Sequence, residues 1–287
     1  MKLFEKILIP VDVNADSKAQ MKTAIKIARL FNSEIIIMYV APEEVEQYEI
    51  KNIVINAITD SLNTLKKSFQ KERITTREPL LKYGKPIDKI LEVATRESVN
   101  LILVGSGMKG KREKFKLGTT TQRLINMSDV PVWVVEPKQK TDSDNILCPV
   151  DFSAPSERAL KNAILLSARF KSDLTILAVY EPILYISPRI KVDLEEENIK
   201  RLKRFKDEMK HFTGQFNLKG IKHKIVIQTG KAEENILQTI KDQAHDLLIM
   251  GTNGRSGLSR LVMGSITEKV TREVPCSFIT TKIQETN

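Results

Sequence analysis

Lys6-Ile7-Leu8-Ile9-Pro10-Val11-Asp12-Val13-Asn14-Ala15-Asp16-Ser17 and Asn145-Ile146-Leu147-Cys148-Pro149-Val150-Asp151-Phe152-Ser153-Ala154-Pro155-Ser156 are two versions of one pattern, 139 positions apart. The correspondence continues along the chain. Tyr83-Gly84-Lys85-Pro86 matches Thr229-Gly230-Lys231-Ala232, and Leu101-Ile102-Leu103-Val104-Gly105 matches Leu247-Leu248-Ile249-Met250-Gly251, both at offset 146. Val130-Pro131-Val132-Trp133 matches Val274-Pro275-Cys276-Ser277 at offset 144. Insertions and deletions in loops produce such a drift. The chain therefore reads as one domain written twice, over 1–140 and 144–287, with a short polar junction at 137–144. A length of 287 residues at roughly 150 per domain agrees.

Each copy alternates short apolar runs with amphipathic stretches. In the second, strands are expected at 146–150, 174–179, 224–228, 247–250 and 276–280, and helices at 156–170, 194–212, 232–244 and 266–273. In the first, 35–40 is the second strand. Continuous apolar strands separated by helices predict an α/β fold, a parallel sheet covered on both faces.

The composition excludes several classes. A hydrophobic share of 41% rules out wholesale disorder. No apolar run approaches the ~20 residues of a membrane span, and the N-terminus is too charged for a signal peptide. Cys148 and Cys276 are too few for a disulfide framework and read as small buried strand residues. His211, His223 and His245 are scattered, read as surface groups, and give no metal site. A reducing, cytoplasmic setting is expected. The net charge of +10 is spread over helical faces mixed with Glu and Asp, so it reads as a solvated surface rather than a nucleic-acid footprint. Aromatic residues do not interleave with the basic ones, which argues against single-strand binding.

In a sheet of this class ligands sit beyond the carboxyl ends of the strands, where the winding reverses. Asp151 follows the first strand of the second copy. After its fourth strand come Gly251, two residues, Gly254, nine residues, then Gly264-Ser265. Gly251 and Gly254 suit a backbone that approaches phosphates closely. Gly264-Ser265 opens a helix at Ile266, and a helix N-terminus offers unpaired amides to an anion. Arg255 and Arg260 add positive charge. The competing readings are a plain tight turn for the glycines and a helix cap or Asx turn for Asp151. There is no GxxxxGK[ST] loop and no recognisable catalytic set.

On the strand-end Asp, the G-x2-G-x9-G-S spacing and the duplication, the whole chain resembles a tandem member of the universal stress protein family. The resemblance implies Rossmann-like five-stranded sheets of order 3-2-1-4-5, and ATP (or ADP or AMP), with or without Mg2+, in the second copy. It implies that Asp151 contacts the nucleoside, that Val179 holds adenine through its backbone, and that Pro149, Val150 and Met250 line the nucleoside pocket. Gly251, Gly254, Gly264 and Ser265 would cradle the phosphates. It also implies pairing of the last strands, 131–135 and 275–280, as an intrachain pseudo-dimer, with further homodimerisation and an unknown protein partner left open. The first copy keeps Asp12, Val40, Gly105, Gly118 and Thr119, but has Met108 in place of Gly254, with Gly107 and Gly110 out of phase and a basic loop at 109–116. Its site is expected to be empty, weaker or adapted to another anion, unless Gly107 and the lysines rebuild it. The expected role is a stress-response binding module with at most slow ATP hydrolysis; the alternatives are a nucleotide-free scaffold for a protein partner and, less favoured, an enzyme of the wider adenine-nucleotide hydrolase-like superfamily.

Overall fold

Runs such as Ile35-Ile36-Ile37-Met38 leave no face for water, and all four side chains are fully buried. Such strands are stable only between two layers of helices. The computed structural model describes residues 4–12, 17–47, 49–107, 117–137, 143–185, 193–252 and 263–282, with only the backbone of Glu46 and Gln47. The chain divides into two compact units, Met1–Thr141 with Ser277–Asn287, and Asp142–Cys276.

In the first unit the order is β1 (Lys6–Pro10), α1 (Lys18–Phe31), β2 (Glu34–Ala41), α2 (Lys51–Lys71), β3 (Leu80–Tyr83), α3 (Pro86–Arg96), β4 (Leu101–Gly105), α4 (Thr119–Met127) and β5 (Val132–Val135). The strands lie as β3-β2-β1-β4-β5, all parallel, the order expected. Helix α1 turns Met21, Ala24, Ile27 and Ala28 inward, an i, i+3, i+6, i+7 stripe. In the second unit β6 (Asn145–Pro149), α5 (Ala154–Phe170), β7 (Asp173–Tyr180), α6 (Leu194–Gly214), β8 (His223–Thr229), α7 (Ala232–Asp242), β9 (Leu247–Gly251) and α8 (Ser265–Glu273) follow the same plan. Its strands lie as β8-β7-β6-β9, again parallel. Burial of Ala159, Leu160, Ala163 and Leu166 seats α5.

The last strand, β10 (Ser277–Thr281), groups with the first unit. It pairs antiparallel with β5, Phe278 opposite Val134 and Thr280 opposite Val132, which is the meeting of last strands expected from the sequence. The Glu136 N–H donates to Ser277 Oγ at 3.0 Å beside this ladder. β5 therefore has a partner on its outer side rather than an open edge.

Cys148 and Cys276 are buried and form no disulfide, and burial pushes the Cys148 thiol well above its usual range, as an inert strand residue requires. The histidine expectation is corrected at one position: His245 is only 3% exposed. Its Nδ1 lies 3.2 Å from the Thr239 carbonyl and its Nε2 3.0 Å from Thr175 Oγ1. A neutral ring donating from Nδ1 and accepting at Nε2 satisfies both contacts. Burial lowers its pKa in the folded state. The unfolded chain then binds the extra proton, so this contribution to stability is complete above about pH 6.5 and is lost on acidification below it. The urea midpoint of the second unit is expected to fall between pH 7 and pH 5. His245→Val, which installs the side chain that Val99 supplies in the first repeat, should flatten that fall. An equal fall in the variant would show that His245 is not responsible.

Candidate functional site

In each unit the winding reverses beside the first strand, so a cleft opens over the carboxyl ends there. In the second unit, pairing of β6 with β7 ends at Pro149 opposite Leu177, and the Val150 N–H closes on the Leu177 carbonyl at 2.8 Å. β7 runs on to Tyr180, whose carbonyl accepts the Gly230 N–H at 2.9 Å on the β8 side. Alternate residues of a parallel strand address opposite neighbours. Val179, like Leu177, therefore directs its N–H and C=O to the β6 side, where β6 has already ended. A donor and an acceptor stand side by side on an open strand edge facing the cleft.

Asp151 leaves β6 in an Asx turn. Its Oδ1 accepts the Ser153 N–H at 3.2 Å and the Ser153 hydroxyl at 2.5 Å. Ser153, not Asp151, caps α5, its side chain accepting from the Ser156 N–H. The turn residue Phe152 sits at φ +66°, an unfavourable conformation for a side-chain-bearing residue. Aromatic packing holds it there: its ring centroid is 5.1 Å from Phe205 and 5.4 Å from Phe212, both on α6.

The β9–α8 side supplies the anion-binding features. Gly264 is the N-cap of α8 and provides no side-chain cap, and the first intrahelical bond runs from the Glu268 N–H to the Gly264 carbonyl at 2.9 Å. The amides of Ser265, Ile266 and Thr267 precede that bond and have no acceptor within the helix. Thr267 Oγ1 donates to the Gly251 carbonyl at 2.9 Å and fixes the helix start over the end of β9. Gly251 itself is needed for packing. A Cβ there would stand 2.8 Å from Pro155 Cβ and 2.9 Å from its carbonyl carbon. The sequence suggested phosphate approach or a tight turn for this glycine; its immediate neighbour is the first turn of α5.

These elements surround one cavity of about 580 Å³, within the range of small-molecule sites. Of the residues expected at the site, Pro149, Val150, Asp151 and Val179 line one side, and Met250, Gly251, Gly264, Ser265 and Ile266 the other. Gly254 and Arg255 lie outside the described residues, as does Arg260. The sequence reading missed Ser156, Ile236, Thr267 and a whole wall contributed by α6: Arg201, Arg204, Phe205 and Glu208. It took the charges of that helix as a solvated face. The i, i+3, i+4, i+7 spacing of those four residues was the available signal. Asn198 anchors the helix: its side chain exchanges two 2.9 Å hydrogen bonds with the Ile183 backbone and accepts the Tyr180 hydroxyl at 3.0 Å. Glu181, also in the wall, accepts the Ala232 N–H at 3.0 Å and so caps α7.

The first unit carries a variant of this cleft. Asp12 follows β1, Val40 nears the end of β2, Gly105 ends β4, and Gly118 caps α4 ahead of Thr119. Thr121 Oγ1 donates to the Gly105 carbonyl at 3.2 Å, as Thr267 does to Gly251. Burial, and secondarily the Asp12 charge, raise the pKa of the Tyr39 phenol. Two features differ. Helix α1 starts at Lys18 without a side-chain cap, about a turn later than α5. Gln20, where the second repeat has Ala159, is buried and donates to the Pro10 and Leu103 carbonyls at 3.0 and 2.8 Å, closing the gap between β1 and β4. Gly107, at φ +73°, packs against Gly118, whose Cα would lie 3.1 Å from an added Cβ. Met108 and the basic loop lie outside the described residues.

A family model described as "Universal stress protein family" matches residues 3–136 and 143–282. Universal stress protein MJ0531 of Methanocaldococcus jannaschii is 29% identical over 146 residues, covering 48% of this chain and 85% of its own length. Universal stress protein Slr1230 of Synechocystis is 27% identical over 222 residues, covering 76% of this chain and 70% of its own. The crystal structure of a universal stress protein from Archaeoglobus fulgidus superposes with a TM-score of 0.67 at 18% identity, over 97% of this chain and 98% of that one, a likeness of fold.

Proposed function

This chain belongs to the universal stress protein family, and from that premise we infer that its second repeat binds ATP, or the related ADP or AMP, as a regulatory binding module rather than a catalyst. The observation that carries the reading is the pairing, in one cavity, of an open strand edge at Val179 with the uncapped amides of α8. An adenine edge presents a donor beside an acceptor and so complements a free backbone N–H and C=O. Phosphate oxygens complement a helix N-terminus. β7 and β9 are separated by one strand, hence by about 10 Å, which a nucleoside 5′-phosphate can bridge. Pro149, Val150, Ile236 and Met250 give the base and sugar apolar contact. Among the described residues no cluster of three His, Cys, Asp or Glu side chains is placed to hold a metal. Mg2+ accompanying ATP would bridge phosphate oxygens and take few protein ligands.

The Gln20 bridge and the shorter α1 support a vacant or weak first site. Calorimetric titration of the whole chain with ATP is expected to give one equivalent bound. Two equal equivalents would overturn the asymmetry, and no heat together with no shift in melting temperature would overturn the nucleotide reading. One observation favours the scaffold alternative: Gly251 is required by packing whether or not a ligand is present. The second-repeat motif would then be retained for structure, and the ATP titration separates the two.

A further inference from the structure

We propose that Arg201 and Arg204 form an anion subsite on the α6 wall, so that the cavity prefers an adenine nucleotide carrying a second phosphate on its ribose. The proposal rests on the nucleotide reading above. Both arginines line the cavity and lie three residues apart, on neighbouring turns of one helix face. Among the described residues no hydrogen bond or ion pair holds either guanidinium. Two like charges at this spacing oppose one another, and each presents a fork suited to phosphate oxygens. The acids of the wall leave them unmatched. Asp151 is engaged by Ser153, and Glu181 by the Ala232 N–H. Glu208, the remaining acid of the α6 face, balances one arginine at most.

Position separates this subsite from α8. Phe205, adjacent to Arg204, has its ring 5.7 Å from Tyr180 at the end of β7 and 5.1 Å from Phe152 after β6. The arginines therefore stand on the nucleoside side of the cavity, while the amides of α8 lie across it beside β9. A 5′-phosphate chain held at α8 leaves them free, and a 2′- or 3′-phosphate is directed toward them.

The test is competitive calorimetry on the full chain with AMP, adenosine 2′,5′-bisphosphate and adenosine 3′,5′-bisphosphate. One bisphosphate is expected to bind at least about tenfold more tightly than AMP, the scale of one charge-assisted contact. The Arg201→Gln/Arg204→Gln variant, its fold checked by circular dichroism, should lose that preference. AMP binding with neither bisphosphate favoured would overturn the subsite and leave the nucleotide reading standing. A preference that persists in the variant, both ligands weakened alike, would instead make the arginines stacking partners of the base and overturn the proposal. Binding of none of the three would remove the nucleotide reading and the subsite with it.

Discussion

Gly251→Ala is expected to destabilise the second unit by about 1–3 kcal/mol and to abolish nucleotide binding, while Gly105→Ala, the same change in the first repeat, is expected to be neutral or stabilising. The two glycines end equivalent strands, and among the described residues they face different neighbours. An added Cβ at Gly251 meets Pro155 Cβ and backbone at 2.8–2.9 Å and the Ser156 nitrogen at 3.1 Å. These atoms belong to the capped first turn of α5 and have no rotamer through which to yield. Relief requires moving the turn, at the usual cost of overpacking, about 1–3 kcal/mol. The displaced turn carries Ser153, which holds the Asp151 carboxylate, and Ser156, which lines the cavity. At Gly105 the nearest atom among the described residues is Gln20 Oε1 at 3.9 Å, an ordinary contact. There the gain of Ala over Gly in a strand, roughly 0.5 kcal/mol, meets no opposing contact among the described residues. Hydrogen exchange of β9 and β4 amides reads each unit separately. Equal tolerance at both positions would show that the close approach of β9 to α5 is not a constraint.

Ser265→Glu is expected to move stability and binding in opposite directions. A carboxylate in the first turn of α8 complements the helix dipole and should stabilise that helix by about 0.3–1 kcal/mol. The same carboxylate stands among the amides assigned to the phosphates. At an effective dielectric near 20, two charges 4 Å apart repel by about 4 kcal/mol, and the exposure of Ser265 reduces this. ATP affinity should fall roughly ten- to hundredfold, with adenosine binding little changed. A variant that is more stable and still binds ATP at full strength would place the phosphates elsewhere. Loss of adenosine binding as well would mean that the substitution acts through the fold.

Much of this architecture is legible in the residues because the strands are apolar on both faces and the helices punctuate them. The expected second-repeat strand at 174–179 is observed as Asp173–Tyr180, and the helix expected at 156–170 as Ala154–Phe170. Glycine and serine spacing locates the β9–α8 side of the cavity because backbone geometry there restricts residue type. The α6 wall escapes the same reading. Arg201, Arg204 and Glu208 obey no backbone constraint, and a charged helix facing a cleft has the composition of one facing water. His245 escapes for a related reason: a histidine is compatible with surface or core, and only the Thr175 hydroxyl, brought from 70 positions away by the fold, decides its burial. Gln20 is equally silent in sequence, since its carboxamide acts only once β1 and β4 lie side by side.

The central claim is that backbone groups of the second repeat hold an adenine nucleotide by its two ends. A crystal structure of the full chain grown with excess ATP tests it most directly. The account predicts base density within hydrogen-bonding distance of the Val179 N–H and C=O, and phosphate density on the amides of Ser265 and Ile266. Ordered solvent alone at both places, or a nucleotide bound away from them, would contradict it.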